Sequence, residues 1–468
     1  MSAPTIDLPT QPGAPDPLAA VATARAAFAS GRTRPVAWRL RQLEGITRLV
    51  VERESEIAAA LNEDLGRSAV EAWLGDIAAT KGEAEHARKR LRWWMRPRPQ
   101  PLPLNQLPAT AWLQYEPLGT VLIIGPWNYP VYLTLGPLVA AVAAGNAAVV
   151  KPSEVTPVTS ALLARLIPEY LDPEAVTVVE GDGAVTQQLL AQGFDHVLFT
   201  GGTEVGRKIL EGAAPTLTPV TLELGGKSPV VVTADADLDV AARRIAWVKL
   251  LNSGQTCIAP DYVLVERSVR DALVAKLVAT IDTFRAEEGG AGLRIVNQRQ
   301  LDRLASYLDA TAGEVAAGGV VDRERLTITP TVVVDPDPDE PLMTDEIFGP
   351  ILPVLTIDSV DEAVAFVNAR PKPLAAYYFT RSREVRKRLL AQISSGGAVV
   401  NHVAMHCLVP QLPFGGVGDS GTGAYHGKWG FEALSHRKSV LSKTFAPDPQ
   451  FVYPPYSATA LKLMRKLF

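Results

Sequence analysis

The stretch TVLIIGPWNYPVYLTLGPLVAAVAAGNAAVVKP, residues 120–152, reads as strand, helix, strand. Two short apolar runs, TVLIIG (120–125) and NAAVVKP (146–152), flank the helical segment VYLTLGPLVAAVAAG. The pattern continues with AVTVVEG (175–181), HVLFTGG (196–202) and VTLELGG (220–226), again separated by small-residue turns and helical segments. Apolar strands of this length alternating with helices imply a parallel sheet covered on both faces. Such a sheet is a nucleotide-binding architecture.

On the N-terminal side, residues 18 to 95 carry Leu, Ile, Val and Ala at helical intervals, as in RLRQLEGITRLVVERESEIAAALNEDLG (39–66). The Pro-rich connector RPRPQPLPLNQLP then leads to TAWLQYEPLG, whose composition suggests extended chain. Beyond Gly226 a second α/β region follows, with strand candidates SPVVVT, YVLVE, TITPTVVVD, GPILPVLTI, LAAYYFT and GGAVVN and helices such as DEAVAFVNAR. The acidic DPDPDEP (335–341) is expected as a surface loop, and the chain after GFEALSHRKSVL as an arm packing elsewhere.

At 468 residues, 47% of them apolar and 21% charged, the chain exceeds one hydrophobic core and is expected to divide into domains. Two cysteines exclude a disulfide framework and fit a reducing compartment. The start lacks a basic segment followed by an apolar core, so a short disordered lead is expected rather than a secretory signal. No apolar run approaches the roughly 18 residues a membrane span needs. The expected location is cytoplasmic. A net charge of −4 gives no general attraction to nucleic acid. The one basic aromatic piece, RKRLRWWMRPRP (88–99), is expected to be a helix end that packs its Trp pair and solvates its arginines.

Several residues stand where chemistry is possible. Asn128 follows a strand end, where its amide would suit either an oxyanion or a helix cap. Lys151, at the carboxyl end of the next strand, lies on the edge where such sheets bind ligands, and with Glu154 it would meet a ribose or form a surface pair. In FTGGTEVGRKIL, Gly201, Gly202, Thr203 and Gly206 join a strand to a helix N-terminus suited to phosphate, although the spacing is not G-x-G-x-x-G and a plain turn is the rival reading. Glu223 ends an apolar strand; burial would raise its pKa toward general-base use, unless backbone N–H groups or Lys227 satisfy it. Cys257, in LNSGQTC (251–257), is a nucleophile if its pKa is lowered and an inert small residue otherwise. The histidines show neither H-x-x-H nor H-E-x-x-H spacing, and no metal site is expected.

Taken together, PWNYP, KPSE, FTGGTEVG, LELGGKSP, NSGQTC, EIFGP and PFGGVGDSG occur in the order and spacing of the aldehyde dehydrogenase superfamily, over about residues 20 to 457. GQTCIAPDYVL, GAYHGKWGFEALSHRKSVL and YPPYS resemble its class 3 and fatty aldehyde branch, which includes bacterial coniferyl aldehyde dehydrogenases. The resemblance implies an α/β fold with a Rossmann-type cofactor domain, an α/β catalytic domain and a small β oligomerisation arm. The implied division is a helical part of the cofactor domain at 1–98, a bridging segment at 99–118, the cofactor-binding core at 119–224, the catalytic domain at 225–410, a return to the cofactor domain at 411–438, and the arm and tail at 439–468. It implies NAD- or NADP-dependent oxidation of an aldehyde to the acid. Cys257 would be the nucleophile, Asn128 and the Cys257 N–H the oxyanion donors, and Glu223 the activator of hydrolytic water. Glu346 and Phe348 match positions at the nicotinamide ribose, Lys151 and Glu154 those at the adenine ribose, and Trp127 and Thr203, with Gly201 and Gly206, those near the pyrophosphate. Because the family's phosphate region is unusual, the missing glycine fingerprint no longer counts against a cofactor.

Two departures from the pattern stand out. Gly202 replaces a usual Ser or Asn, and His402 a usual Asp. Tyr129, Leu133, Met405 and Cys407 match tunnel positions and suit a medium or long aliphatic, aromatic or apocarotenoid aldehyde better than a charged semialdehyde. A homodimer is the expected assembly. The tail ALKLMRKLF (460–468) is too short and charged to span a bilayer; it is read as solvated or dimer-packed, with weak peripheral contact to anionic lipid as the alternative. The rival functions are transfer of the acyl group to coenzyme A and a noncatalytic structural or binding role.

Overall fold

The computed structural model describes residues 16–287 and 293–467. Most of the expected N-terminal lead and Phe468 of the tail lie outside this range. Strand Thr120–Ile124 stands inside a six-stranded sheet ordered Gly421–Thr422, Val220–Glu223, His196–Thr200, Thr120–Ile124, Ala147–Lys151, Val176–Val178. Every neighbouring pair is parallel except the one at the Gly421–Thr422 edge. The chain builds outward from Thr120–Ile124 on one side, then returns to place His196–Thr200 on the other. The crevice at the carboxyl ends of these two strands is therefore the topological switch point, where open α/β sheets take their ligands.

Strand periodicity explains why both faces are covered. Val121, Ile123, Ala148 and Val150 join the helical layer, while Leu122, Ile124, Ala147 and Val149 face the opposite cluster. Helix Tyr132–Ala144 is buried from Leu133 to its end. A helix apolar on every side has to be enclosed, and helices Val36–Glu52 and Ala78–Trp94 pack over it from the N-terminal layer. Each fully buried Leu, Ile or Val there contributes roughly 1.5–3 kcal/mol.

The second sheet runs Glu314–Ala317, Thr331–Val334, Ile351–Ile357, Tyr262–Glu266, Pro229–Val232, Ala375–Phe379, Gly397–Val400, all parallel but for the first pair. A third, antiparallel sheet of Arg98–Gln100, Ala109–Pro117 and Ser435–Lys443 forms the arm. Its outer strand begins at Ser435 rather than at residue 439.

Two expectations need correction. Helix Ala78–Trp94 buries Trp94 against His86 and Phe431, but Trp93 is 56% exposed, because adjacent helical residues point about 100° apart and only one of the pair can face the core. The segment TITPTVVVD is two strands, Thr327–Ile328 and Thr331–Val334, separated at Pro330, which has no N–H to give a ladder.

Candidate active site

A cavity of about 970 Å³ opens at the switch point and continues to the second α/β region. Asn128, Glu223 and Cys257 line it, as do Trp127, Lys151, Glu154, Gly201, Glu346 and Phe348, and Tyr129, Leu133, Met405 and Cys407. Strand register accounts for part of this. Lys151 pairs with Ile124 and Glu223 with Thr200, so each side chain emerges at the carboxyl edge. Thr203 and Gly206 are not in the lining. Thr203 Oγ1 lies 3.5 Å from the Asp419 carbonyl, and a Cβ at Gly206 would meet Leu224 at 2.8 Å, so this glycine serves helix-to-sheet packing.

The Cys257 loop leaves helix Leu238–Leu250 through three successive left-handed residues: Asn252 (φ 51°), Ser253 (φ 55°) and Gly254 (φ 73°). For the two non-glycines this conformation costs roughly 1–2 kcal/mol each, a strain characteristic of functional sites. A Cβ at Gly254 would stand 2.2 Å from the Gly349 carbonyl, so the loop is pressed onto the EIFGP segment. Burial, followed by the neighbouring Glu346, Cys407 and Glu223, pushes the Cys257 thiol well above the usual range. In the resting protein it is a neutral thiol.

Glu223 is 3% exposed and neither of its carboxylate oxygens has a hydrogen-bond partner among the described residues. Lys227 does not satisfy it. That ammonium donates instead to Asp261 (2.5 Å) and to the carbonyls of Leu342 and Asp345. Burial pushes the Glu223 carboxyl well above the usual carboxylate range, which makes its carboxylate a stronger base than an exposed one.

The Asn128 amide does not cap the following helix. Asp76 does so from another element, accepting from the N–H groups of Val131 (3.0 Å) and Tyr132 (2.8 Å). Asn128 Nδ2 donates to the Gln255 carbonyl at 3.1 Å, which uses one of its two hydrogens and ties it to the Cys257 loop. The remaining hydrogen is available to an oxyanion. Sequence reasoning missed the residues that hold this loop: Arg67, Asp76 and Asn252, all buried. Most of their partners are far away in the chain, so no local pattern could reveal the network. It also missed Lys249, a buried ammonium without a hydrogen-bond partner among the described residues, which burial pushes down to about 8 against the pull of Asp261.

Around the switch point the residues fit a dinucleotide. Helix Thr203–Ala213 presents its N-terminus beside Gly201 and Gly202, and no capping side chain occupies its first N–H groups. The Lys151 ammonium, almost wholly buried, pairs with the half-exposed Glu154 at 2.7 Å. A Cβ at Gly225 would be 2.1 Å from Glu346 Oε2, so this glycine lets the carboxylate lie against the backbone. Burial and the charge of Asp261 push Glu346 up to about 8. Phe348 packs edge-on against Trp127, with ring centroids 5.3 Å apart, and joins the two α/β regions. A side chain at Gly202 would meet nothing within 4 Å, so its lack of one leaves open space.

Near Cys257 the wall is apolar and aromatic. Tyr129, Leu133, Met405 and Cys407 are joined there by Trp247, Phe414, Tyr425 and His426, none of which the sequence singled out. His426 stacks on Phe414 (centroids 4.9 Å apart), lies 3.1 Å from the Tyr132 hydroxyl and is pushed by burial down to about 3, so it is neutral. His402 stands behind the wall, edge-on to Trp247 at 6.3 Å. Among the described residues no group of three His, Cys, Asp or Glu could hold a metal ion, and no helix is long and apolar enough to cross a membrane.

The family described as the aldehyde dehydrogenase family matches residues 9–440. The chain is 48% identical over 438 residues to aldehyde dehydrogenase family 3 member A2 of Mus musculus, covering 92% of this chain and 90% of that one. It is 45% identical to the dimeric NADP-preferring aldehyde dehydrogenase of Rattus norvegicus, covering 94% of this chain and 97% of the relative. Among solved structures, the substrate-bound state of Staphylococcus aureus AldH superposes with a TM-score of 0.93 at 40% identity, over 96% of this chain and 99% of the other.

Proposed function

The chain belongs to the aldehyde dehydrogenase family and is an NAD(P)-dependent oxidoreductase; from this premise we propose that Cys257, Asn128 and Glu223 oxidise a medium or long aliphatic, or an aromatic, aldehyde to its acid. The observation that carries the reading is the convergence of these three residues on one cavity, with the Glu223 carboxyl buried and without a hydrogen-bond partner among the described residues.

The Cys257 thiol gives up its proton to solvent in the cavity, Sγ attacks the aldehyde carbon, and the oxygen takes up the electron pair of the broken π bond. The Asn128 amide and the Cys257 N–H hold that oxyanion, where each donor acts in a water-poor site. A bound nicotinamide would supply the hydride acceptor; with the hydride gone the oxyanion re-forms its carbonyl, and the carbon stays bound to Cys257 as a thioester. The Glu223 carboxylate then takes a proton from water while the water oxygen attacks the thioester carbon; the C–S bond breaks, and that proton passes to Sγ as the acid forms. Lys151, Glu154, Glu346 and Phe348 would hold the cofactor.

The substrate class rests on the uncharged wall. The part of the wall made by neutral His426, Phe414, Met405 and Cys407 carries no cation, and Arg67, which also lines the cavity, is paired with Asp76, whereas a chain or ring gains roughly 0.8 kcal/mol per buried methylene. The exposed outer strand Ser435–Lys443 supports a homodimer in which the arm is covered by the partner, and a relative is itself named dimeric. The reading places the enzyme in the cytoplasm, with the amphipathic helix Ala458–Leu467 as a weak lipid-contact candidate.

Product analysis tests the hydrolytic assignment. With decanal and NAD(P)+ the product should be decanoic acid whether or not coenzyme A is present. Decanoyl-CoA appearing on its addition would refute the role given to Glu223.

A further inference from the structure

The nucleophile and the oxyanion donor lie 129 residues apart in the chain, and one buried guanidinium ties both to a third segment. Arg67 is 1% exposed. Its Nη1 pairs with Asp76, its Nη2 donates to the main-chain carbonyl of Asn128, and its Nε donates to Asn252 Oδ1 at 3.1 Å. Asn252 Nδ2 in turn donates to the Asn128 carbonyl (3.0 Å) and to the Gln255 carbonyl (3.1 Å), the latter also accepting from Asn128 Nδ2. The guanidinium also lies over the Tyr129 ring, 4.3 Å from its centroid, and Tyr129 bonds Thr256 at 2.8 Å.

From this geometry we propose that Arg67, held by Asp76 and acting through Asn252, is a positioning residue that sets the Asn128 amide and the Cys257 loop in mutual register. Three features support it. The planar guanidinium reaches its three partners from three separate nitrogens held at fixed angles, whereas an ammonium donates from a single nitrogen. Asp76 sits on the π-helical turn Trp73–Ile77, an irregularity that often marks functional positions. The pair also explains how Asn252 keeps a left-handed backbone, since its amide is bonded at both ends. Arg67 touches neither reacting atom and acts only through its neighbours.

The proposal rests on the roles given to Cys257 and Asn128. Its test uses the full-length protein with Arg67→Met, Arg67→Lys and Asn252→Gly, the last retaining a residue at ease with positive φ. For Arg67→Met, kcat should fall about 100-fold, the cost of a displacement near 1 Å at a reacting centre. The KM for NAD(P)+ and the rate of Cys257 alkylation by iodoacetamide, which needs no oxyanion donor, should stay within about threefold of wild type. Arg67→Lys should recover part of the loss, and Asn252→Gly should show the same split should Arg67→Met fail to fold. Wild-type kcat in these variants overturns the proposal, and so does an alkylation rate that departs more than threefold from wild type in either direction, a rise marking a loop that has merely come apart and exposed Cys257. Wild-type protein that alkylates at Cys257 yet oxidises no aldehyde would overturn the proposed function instead.

Discussion

Replacing Glu346 by Gln should stabilise the cofactor-free protein, and the gain should grow with pH. Burial and the Asp261 charge raise this carboxyl from 4.5 to about 8 in the folded chain. Below pH 4.5 both folded and unfolded chains hold the proton, and the two proteins should differ little. Between 4.5 and 8 the unfolded chain releases it and the folded chain does not, so wild-type stability falls as pH rises. Above 8 the difference is complete. At pH 7, 2.5 units of that gap apply, and at roughly 1.4 kcal/mol per unit they amount to about 3 kcal/mol. The residue faces the cavity on one side, and solvent there reduces the effect to about 1–3 kcal/mol. With an unfolding entropy of roughly 2 cal/mol/K per residue, a chain of this length shifts about 1 °C per kcal/mol, so Tm should rise by about 1–3 °C. Thermal melts of both proteins from pH 5 to 8 provide the assay. A difference that stays flat, or that shrinks with rising pH, would refute the placement of a proton-holding carboxyl at this site. The same substitution should raise the KM for NAD(P)+.

Glu223→Gln should give one rapid equivalent of NAD(P)H per subunit followed by turnover slowed about 100- to 10,000-fold, because acylation survives and hydrolysis does not; stopped-flow absorbance at 340 nm reads both phases, and unchanged steady-state turnover would remove Glu223 from hydrolysis. Glu154→Gln frees Lys151 from its 2.7 Å ion pair. It should lower the KM for NADP+ relative to NAD+, and a ratio unmoved in initial-rate measurements would place that pair outside the ribose site. Since burial and neighbouring acids hold the Cys257 thiol neutral, iodoacetamide should alkylate it slowly near pH 7 and faster as pH rises, with NAD+ accelerating the reaction through its positive nicotinamide ring. A pH-independent rate measured by intact mass would contradict that environment.

The strand–helix–strand reading of 120–152 succeeded because each apolar run is short, bounded and buried on both faces, and that signal is local. The order of the sheet was not legible in the sequence; the structure supplies it, and that order places the loop of Asn128 at the crevice. The side chains aimed into that crevice were legible through their motifs. Thr203 and Gly206 show the limit of such transfer: the motif includes them, but in this chain one faces a carbonyl and the other packs on Leu224. Arg67 and Asp76 were invisible for a different reason. Arg67 and Asp76 are only 9 residues apart, but their other partners lie 61 and 185 residues from Arg67 and 55 and 56 from Asp76, and only the folded chain assembles them. Trp93 was misplaced because composition marks a tryptophan pair as buried without saying which way each points.

The central claim, Cys257-dependent oxidation in an apolar tunnel, is tested most directly by initial rates of NADH and NADPH formation with straight-chain aldehydes of increasing length and with cinnamaldehyde, run beside Cys257→Ala. The account predicts kcat/KM that climbs with chain length, as roughly 0.8 kcal/mol per added methylene allows about fourfold each until the tunnel is filled, and no activity in the variant. Oxidation that survives the loss of Cys257 would contradict it.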